Sequence, residues 1–508
     1  MDKKPNIIIF NVDQWRGDVL GHVGNPAAVT PNLDNLVEKD AVSFSNAFCQ
    51  NPVCTPSRCS FMTGWYPHVR GHRTMYHMIH LDRHEPNLIE VLRDNGYFTW
   101  WGGRNDLIPA QEDLREHSDI YFWPSKNDLR RWGHKWKPNL HVYDNWRGSA
   151  ESDNYYSFFA GKLDTEGDDI YFDFDWAIIL GAIDFIQSYD GEKPLCMFIA
   201  LANPHPPYGI EEPWFSITDR HKLPPRKETP KDWLDKPSLL KGIYGRQKLQ
   251  SWTEDRWNEL RATYYGMCAR IDHQFGLFVD ELKNEAYFDD SAIFFFSDHG
   301  DFTGDYGLVE KTQNTFEDCL TRIPFIIKPP SYIDIKPRVS DALVELVDFS
   351  ETVYALTSIN PNYSRFGKNL IPLLKGDIKG IRDAVFCEGG RLYGEKHAME
   401  LESISTLTPS GLYWPRVSLQ ITDAGPYHGK AVMCRTKNFK YVRRLYEKDE
   451  LYDLNKDPEE TNNVIEVLEY REILASMKER TLSWYLETCD VVPFETDWRF
   501  RQRVEKKE

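Results

Sequence analysis

One uninterrupted apolar run near the start of the chain, Asn6-Ile-Ile-Ile-Phe-Asn-Val12, limits the possible folds more than any other feature. It lacks the alternation of a half-exposed strand, so both of its faces must be covered, as in a parallel sheet flanked by helices. Further strand-like stretches follow at Ala41 to Cys49, Tyr97 to Trp101, Leu195 to Leu201 and Ser291 to Ser297. Between them lie helical patterns. Thr30-Pro31 opens one that reaches about Lys39, and others cover Asn87 to Asn95, Trp176 to Tyr189 and Tyr264 to Asn284. This alternation predicts an α/β fold with a large, doubly wound, mostly parallel sheet. The pattern ends near Leu373 to Gly376. Short strands such as Lys440 to Arg443 and a helix from about Asn463 to Leu486 then predict a smaller α+β subdomain. The expected division is a catalytic domain over 1–375 and a C-terminal subdomain over 376–508.

In open α/β sheets ligands gather beyond the carboxyl ends of the strands. Asp13-Gln14, Arg104-Asn105-Asp106, His205 and Asp298-His299-Gly300 all stand at such ends. Asp13 can be read as a helix cap or as a metal ligand; its neighbours favour the ligand. A second feature is Cys54-Thr55-Pro56-Ser57-Arg58, which reads as a loop entering a helix, with Thr55 as cap, Pro56 at the first helical position and Gly64 as the stop. Cys54 then faces the free amides and positive end of that helix, an anion site holding a potential nucleophile. Arg58 lies one helical turn away.

Composition excludes several functions. The net charge of −17 argues against nucleic acid or an anionic membrane surface as partner. Nine scattered cysteines without a CxxC pair predict reduced thiols rather than a disulfide scaffold. The absence of a basic-then-apolar leader gives the expectation of a cytoplasmic protein. His68, His72, His77, His80 and His84 crowd one segment, but their spacing matches no zinc pattern, and a polar loop lining the pocket is the better reading. His72 and Arg73 are accordingly assigned to substrate binding. Of Trp123, Trp132, Trp136 and Trp146, most are read as packing, with one or two as a stacking floor for a sugar. The Pro-rich stretch with Trp214, Trp233 and Trp252 is read as a surface excursion.

The Cys54-x-Pro56-Ser57-Arg58 motif, followed by Thr63-Gly64, resembles the signature of the type I sulfatases of the alkaline phosphatase superfamily. Asn11-Val-Asp-Gln14 and Ser297-Asp-His-Gly300 are similar to that family's two metal-binding strand ends, and Leu451 to Glu459 is similar to its C-terminal signature. The similarity runs from Asn6 to about Asn463. It implies an alkaline phosphatase/sulfatase-like fold and conversion of Cys54 to formylglycine by a maturation enzyme. It also implies one divalent cation (Ca2+ first, then Mn2+ or Mg2+) on Asp13, Gln14, Asp298, His299 and residue 54. Arg58, Lys311 and Arg104 would stabilise anionic charge, and His205 or Lys311 would serve the leaving oxygen. The implied substrate is a small-molecule or carbohydrate sulfate ester. Departures matter: many sulfatases carry paired aspartates where this chain has Asp13-Gln14, and Asp-Asn where it has Asp298-His299. Gln14 and His299 resemble the related phosphonate monoester hydrolases and some sulfatases, and a phosphonate monoester or phosphodiester hydrolase stands as the alternative. Arg104-x-Asp106 replaces the usual Lys-x-His. A catalytically silent binding protein is the third reading.

Overall fold

The computed structural model describes residues 4–508 except 81–82, 84, 138–139, 141–144, 401–407, 422–426, 495, 497–498 and 500–508. In chain order the strands begin with β1 (Asn6–Val12), β2 (Val42–Phe48), β3 (Phe98–Gly103), β4 (Ile120–Phe122) and β5 (Phe159–Lys162). Next come β6 (Leu195–Ala200), β7 (Tyr208–Ile210), β8 (Ser291–Ser297), β9 (Arg322–Ile323), β10 (Phe325–Lys328) and β11 (Arg338–Glu345). The last four are β12 (Val385–Gly389), β13 (Ala431–Arg435), β14 (Phe439–Arg444) and β15 (Glu450–Asp453).

The large sheet has the order β11-β2-β10-β8-β1-β6-β3-β4, with β9 paired to β2. β1 runs parallel to both β6 and β8, and β3 parallel to β6 and β4, while β10 is antiparallel to its neighbours. The expected mostly parallel sheet is therefore the one observed. The apolar run explains why β1 is central. Ile8, Phe10 and Val12 enter the core on one face, with Phe275 and Phe278 of the helix Glu254–Asn284. Ile7 and Ile9 enter the core on the other, with Phe61 of the helix Cys54–Thr63 and Phe349 of the helix Val347–Thr357. A strand buried on both faces can carry no polar side.

β12 to β15 form an antiparallel sheet, the α+β portion expected after the parallel pattern ends. One side packs on Trp484 of the helix Arg471–Thr488, and the other meets Phe48 and Leu343 of the large sheet. That helix begins later than its sequence pattern suggests, and the helix Glu254–Asn284 begins a turn or more earlier. Thr253 accounts for the second difference, because its side chain accepts from Arg256 N and caps the longer helix. The Trp233 and Trp252 stretch is not the surface excursion expected. Trp233 is buried with Phe302 and Tyr306, Trp252 joins the main core, and the helix Ser238–Gln247 lies between them.

His68, in the short helix Pro67–Arg70, ties the segment after the Cys54 helix to the C-terminal portion. It lies 2.6 Å from Glu388 of β12 and 2.9 Å from the Thr488 carbonyl. Burial works against its charge, but Glu388 outweighs burial and raises the pKa above the usual imidazole value. A raised folded-state pKa contributes stability below the unfolded value of about 6.5 that is lost as pH rises through the folded value. His68→Gln is therefore expected to destabilise the protein more at pH 6 than at pH 9, as read from denaturant midpoints. Equal losses at both pH values would refute it.

Candidate active site

β1 and β8 lie side by side with Val12 opposite Ser297, so the next residue of each strand, Asp13 and Asp298, emerges at the same edge. Gln14 then turns in the left-handed region (φ 72°), which points its amide back so that it donates to Asp298 Oδ1 at 3.1 Å. Cys54 arrives from β2 as the first residue of its helix, behind Val53 as the extended N-cap. This start is earlier than the sequence suggests, because the Thr55 hydroxyl donates to the Met75 carbonyl instead of capping.

The sulfur of Cys54 lies 3.6 Å from Asp13 Oδ1 and 3.3 Å from His299 Nε2. Ligand atoms of Asp13, Cys54, Asp298 and His299 all fall within 4.8 Å of one another, and all four side chains are buried. Each carboxylate divides its oxygens. Asp13 Oδ2 accepts from Arg58 Nη2 (3.2 Å) and Arg104 Nη1 (2.9 Å), and Asp298 Oδ2 accepts from Arg58 Nε (3.0 Å). The Oδ1 atoms face His299 Nε2, each at 3.7 Å. His299 Nδ1 donates to the Gly300 carbonyl at 2.9 Å, leaving a lone pair on Nε2 for the cluster. Burial, with Lys311 adding to it, outweighs Asp298 and Asp13 and keeps that imidazole below its usual pKa and hence neutral. Two carboxylate oxygens and a neutral imidazole suit a divalent cation.

The same electrostatics set the other groups. Burial alone would raise Asp13, but Arg104, His205, Lys311 and Arg58 hold it well below the usual carboxylate range. Burial first and Asp13 second push the Cys54 thiol well above its usual value. Lys311 is buried yet stays charged, because the carboxylates of Glu310 and Asp13 help outweigh its desolvation. Its Nζ donates to Gln14 Oε1 at 2.7 Å. Arg58 Nη1 is buried without a hydrogen-bond partner among the described residues, a donor aimed at something the protein itself does not supply.

Arg104 also lies 2.8 Å from Asp106, so that carboxylate braces the guanidinium. Arg104 and His205 line a cavity of about 470 Å³ next to the cluster. The structure does not bring His72 and Arg73 to the cluster. His72 is buried against Glu85 and donates through Nδ1 to the His77 carbonyl, whereas Arg73 binds the Gly390 carbonyl and Glu395. Of the remaining crowded histidines, His84 lies outside the described residues, and among those described no second metal-type group forms.

Several contributors escaped sequence reading. Asp301 accepts from Gln14 Nε2 (2.5 Å) and from the Tyr208 hydroxyl (2.8 Å), and Tyr264 donates to the Gln14 carbonyl (2.7 Å). Together they fix both ends of Gln14. The only available signal for Asp301 was its place directly after Asp298-His299-Gly300.

Residues 5–359 match the family described as sulfatase. The arylsulfatase of Clostridium perfringens is 26% identical, with 92% of each chain covered. The choline-sulfatase of Rhizobium meliloti is 24% identical over 98% of this chain and 90% of its own. Among solved structures, the phosphonate monoester hydrolase of Agrobacterium radiobacter superposes with a TM-score of 0.71, at 20% identity and 96% coverage of each chain. The fold is thus one that this hydrolase shares. The chain belongs to the sulfatase family and is a sulfuric ester hydrolase.

Proposed function

We propose that the protein hydrolyses an aryl or carbohydrate sulfate ester, using a formylglycine made from Cys54 and one divalent cation, Ca2+ before Mn2+ or Mg2+. The supporting observation is the convergence of Asp13, Cys54, Asp298 and His299 in one buried cluster, ringed by Arg58, Arg104 and Lys311. Asp13, Asp298, His299 and residue 54 would hold the cation. Gln14 would join them through Oε1, an oxygen it shares with Lys311. When present, the cation and the hydrated aldehyde would supply Lewis acidity and a nucleophilic hydroxyl. Burial and Asp13 hold the unmodified thiol protonated, and a protonated thiol is a poor nucleophile.

The chain's own groups do the rest. Arg58 Nη1, Lys311 and Arg104 bind the equatorial sulfate oxygens, where charge must be held in the transition state. His205, on the same cavity wall as Arg104, protonates the departing oxygen, with Lys311 as the other group within the site able to do so. A formylglycine-generating maturation enzyme is the partner this reading requires.

The test is co-expression with such an enzyme, followed by mass spectrometry of the Cys54 peptide and comparison of kcat/KM for an aryl sulfate and an aryl phosphonate. Aldehyde at residue 54 and preference for the sulfate are expected. Preference for the phosphonate would establish the alternative that Gln14 and His299 favour, and an unconverted, inactive Cys54 would establish a silent binding protein. Chelation is expected to abolish turnover and to remove about 2–3 kcal/mol of stability relative to protein at a hundred-fold excess of cation over Kd. Turnover that survives exhaustive chelation would rule out the cation's role.

A further inference from the structure

Lys311 is held in a closed ring of contacts, and one member of that ring, Glu310, has no part in the chemistry described above. The ammonium donates to Gln14 Oε1 at 2.7 Å. Gln14 Nε2 donates to Asp301 Oδ2 at 2.5 Å, and the Tyr208 hydroxyl donates to the same carboxylate, 2.8 and 2.9 Å from its two oxygens. That hydroxyl in turn accepts from the backbone amide of Glu310 at 3.0 Å. Glu310 Oε1 then lies 3.3 Å from Lys311 Nζ and closes the circuit. All five residues are buried. Lys311 can only donate, so Gln14 must present its carbonyl oxygen there and its amino group to Asp301.

The backbone of Glu310 is fixed on both sides of this contact. Its φ of 69° lies in the left-handed region, and its carbonyl accepts from Phe302 N at 3.1 Å. Such a conformation is costly for a residue other than glycine and persists only where the surroundings over-determine it. The side chain is no less unusual, because a buried carboxylate near an anion site repels the anion. Its Oε2 lies 3.6 Å from Arg416 Nε, but Arg416 Nη1 already has Glu400 at 2.5 Å, so charge balance at Arg416 does not require Glu310. Its Oε1 has no hydrogen-bond partner among the described residues, and its contact there is the ion pair with Lys311.

An ammonium carries three protons on a head that turns freely at the end of a flexible stem. Gln14 takes one and Glu310 attracts a second, and these are the partners of Lys311 Nζ among the described residues. With two directions held, the third N–H has a fixed aim. We infer that Glu310 is a positioning residue, whose carboxylate holds the ammonium of Lys311 so that one N–H points at the sulfate oxygens. This rests on the sulfate-ester reading above, in which Lys311 meets those oxygens, and Glu310 acts only through Lys311.

The test is a double-mutant cycle on the matured full chain with an aryl sulfate. Lys311→Met is expected to lower kcat/KM by about 10²- to 10³-fold, the scale for one lost transition-state donor. Glu310→Gln keeps the size of the side chain and removes its charge. It is expected to cost about ten- to a hundred-fold, the scale for a misplaced group, with most of the loss in kcat. The sign is informative, since removing a negative charge near an anion site would by itself speed the reaction. Glu310→Asp, which keeps the charge one methylene short, should lose less than Glu310→Gln. The variant carrying both Lys311→Met and Glu310→Gln should fall within about three-fold of Lys311→Met alone, because nothing remains for Glu310 to act on. A merely structural role would multiply the two losses. If Tm shows that Glu310→Gln does not fold, Glu310→Asp takes its place in the cycle. Multiplied losses, a Glu310→Gln variant as active as the wild type or faster, or a fully active Lys311→Met would each overturn the inference and leave the sulfatase reading intact. Failure of the matured wild type to turn over the sulfate would overturn that reading and the inference with it.

Discussion

Cys54→Ala is expected to lower the turnover of an aryl sulfate by on the order of 10⁴-fold or more, the scale seen when an enzyme loses its nucleophile. The protein should stay folded. Cys54 is buried, but its truncation removes a single sulfur and costs about 1 kcal/mol as a small cavity. The loss should fall on kcat, because Arg58, Arg104 and Lys311 still surround the anion position. Steady-state kinetics on the matured wild type and on the variant, each with a denaturation curve, check this. A variant retaining a tenth of wild-type turnover would show that the nucleophile lies elsewhere.

Arg58→Ala should have the largest effect on stability. Arg58 is fully buried and bridges Asp298 and Asp13 at 3.0 and 3.2 Å. Without it, two buried carboxylates lose a shared counter-charge, and breaking a buried pair from one side costs about 3–5 kcal/mol. Arg104 still reaches Asp13, but among the described residues Asp298 retains only the backbone amides of Gln14 and His299 as hydrogen-bond donors. The loss should therefore be greatest in chelated protein and smaller when a divalent cation neutralises the same oxygens. Arg58→Lys should recover only part of it, since one ammonium cannot reproduce the two-pronged contact. Denaturant midpoints with chelator and with Ca2+ measure this. A destabilisation below about 1 kcal/mol, or one indifferent to the cation, would contradict the assigned electrostatics.

These outcomes depend on features that the chain states locally and on others that it does not. Asn6 to Val12 declares a strand covered on both sides, because no register of an all-apolar run can turn a polar face to water. Pro56 and Gly64 mark the helix behind Cys54, and Asp13 and Asp298-His299 stand where strand periodicity stops. Such signals lie within a few residues of one another, so the doubly wound sheet and the residues at its strand ends could be read directly. The boundaries could not, since they turn on single hydrogen bonds such as Thr253 to Arg256 and Thr55 to Met75.

Partners chosen across the chain were hidden for a different reason. His72 and Arg73 look suited to substrate binding, yet Arg73 is drawn to Gly390 and Glu395, more than three hundred residues away. Asp301, Tyr208 and Tyr264 hold Gln14 only because β1, β7, β8 and the long helix meet at one edge. Trp123 and Trp136 border the same cavity as Arg104 and His205 only in the folded chain. Periodicity and local chemistry therefore determined the layers and the residues at the strand ends. Tertiary structure alone decided which charges pair, which donors stay open and what shape the cavity presents, because those depend on contacts between segments whose separation in sequence carries no record of their distance in space.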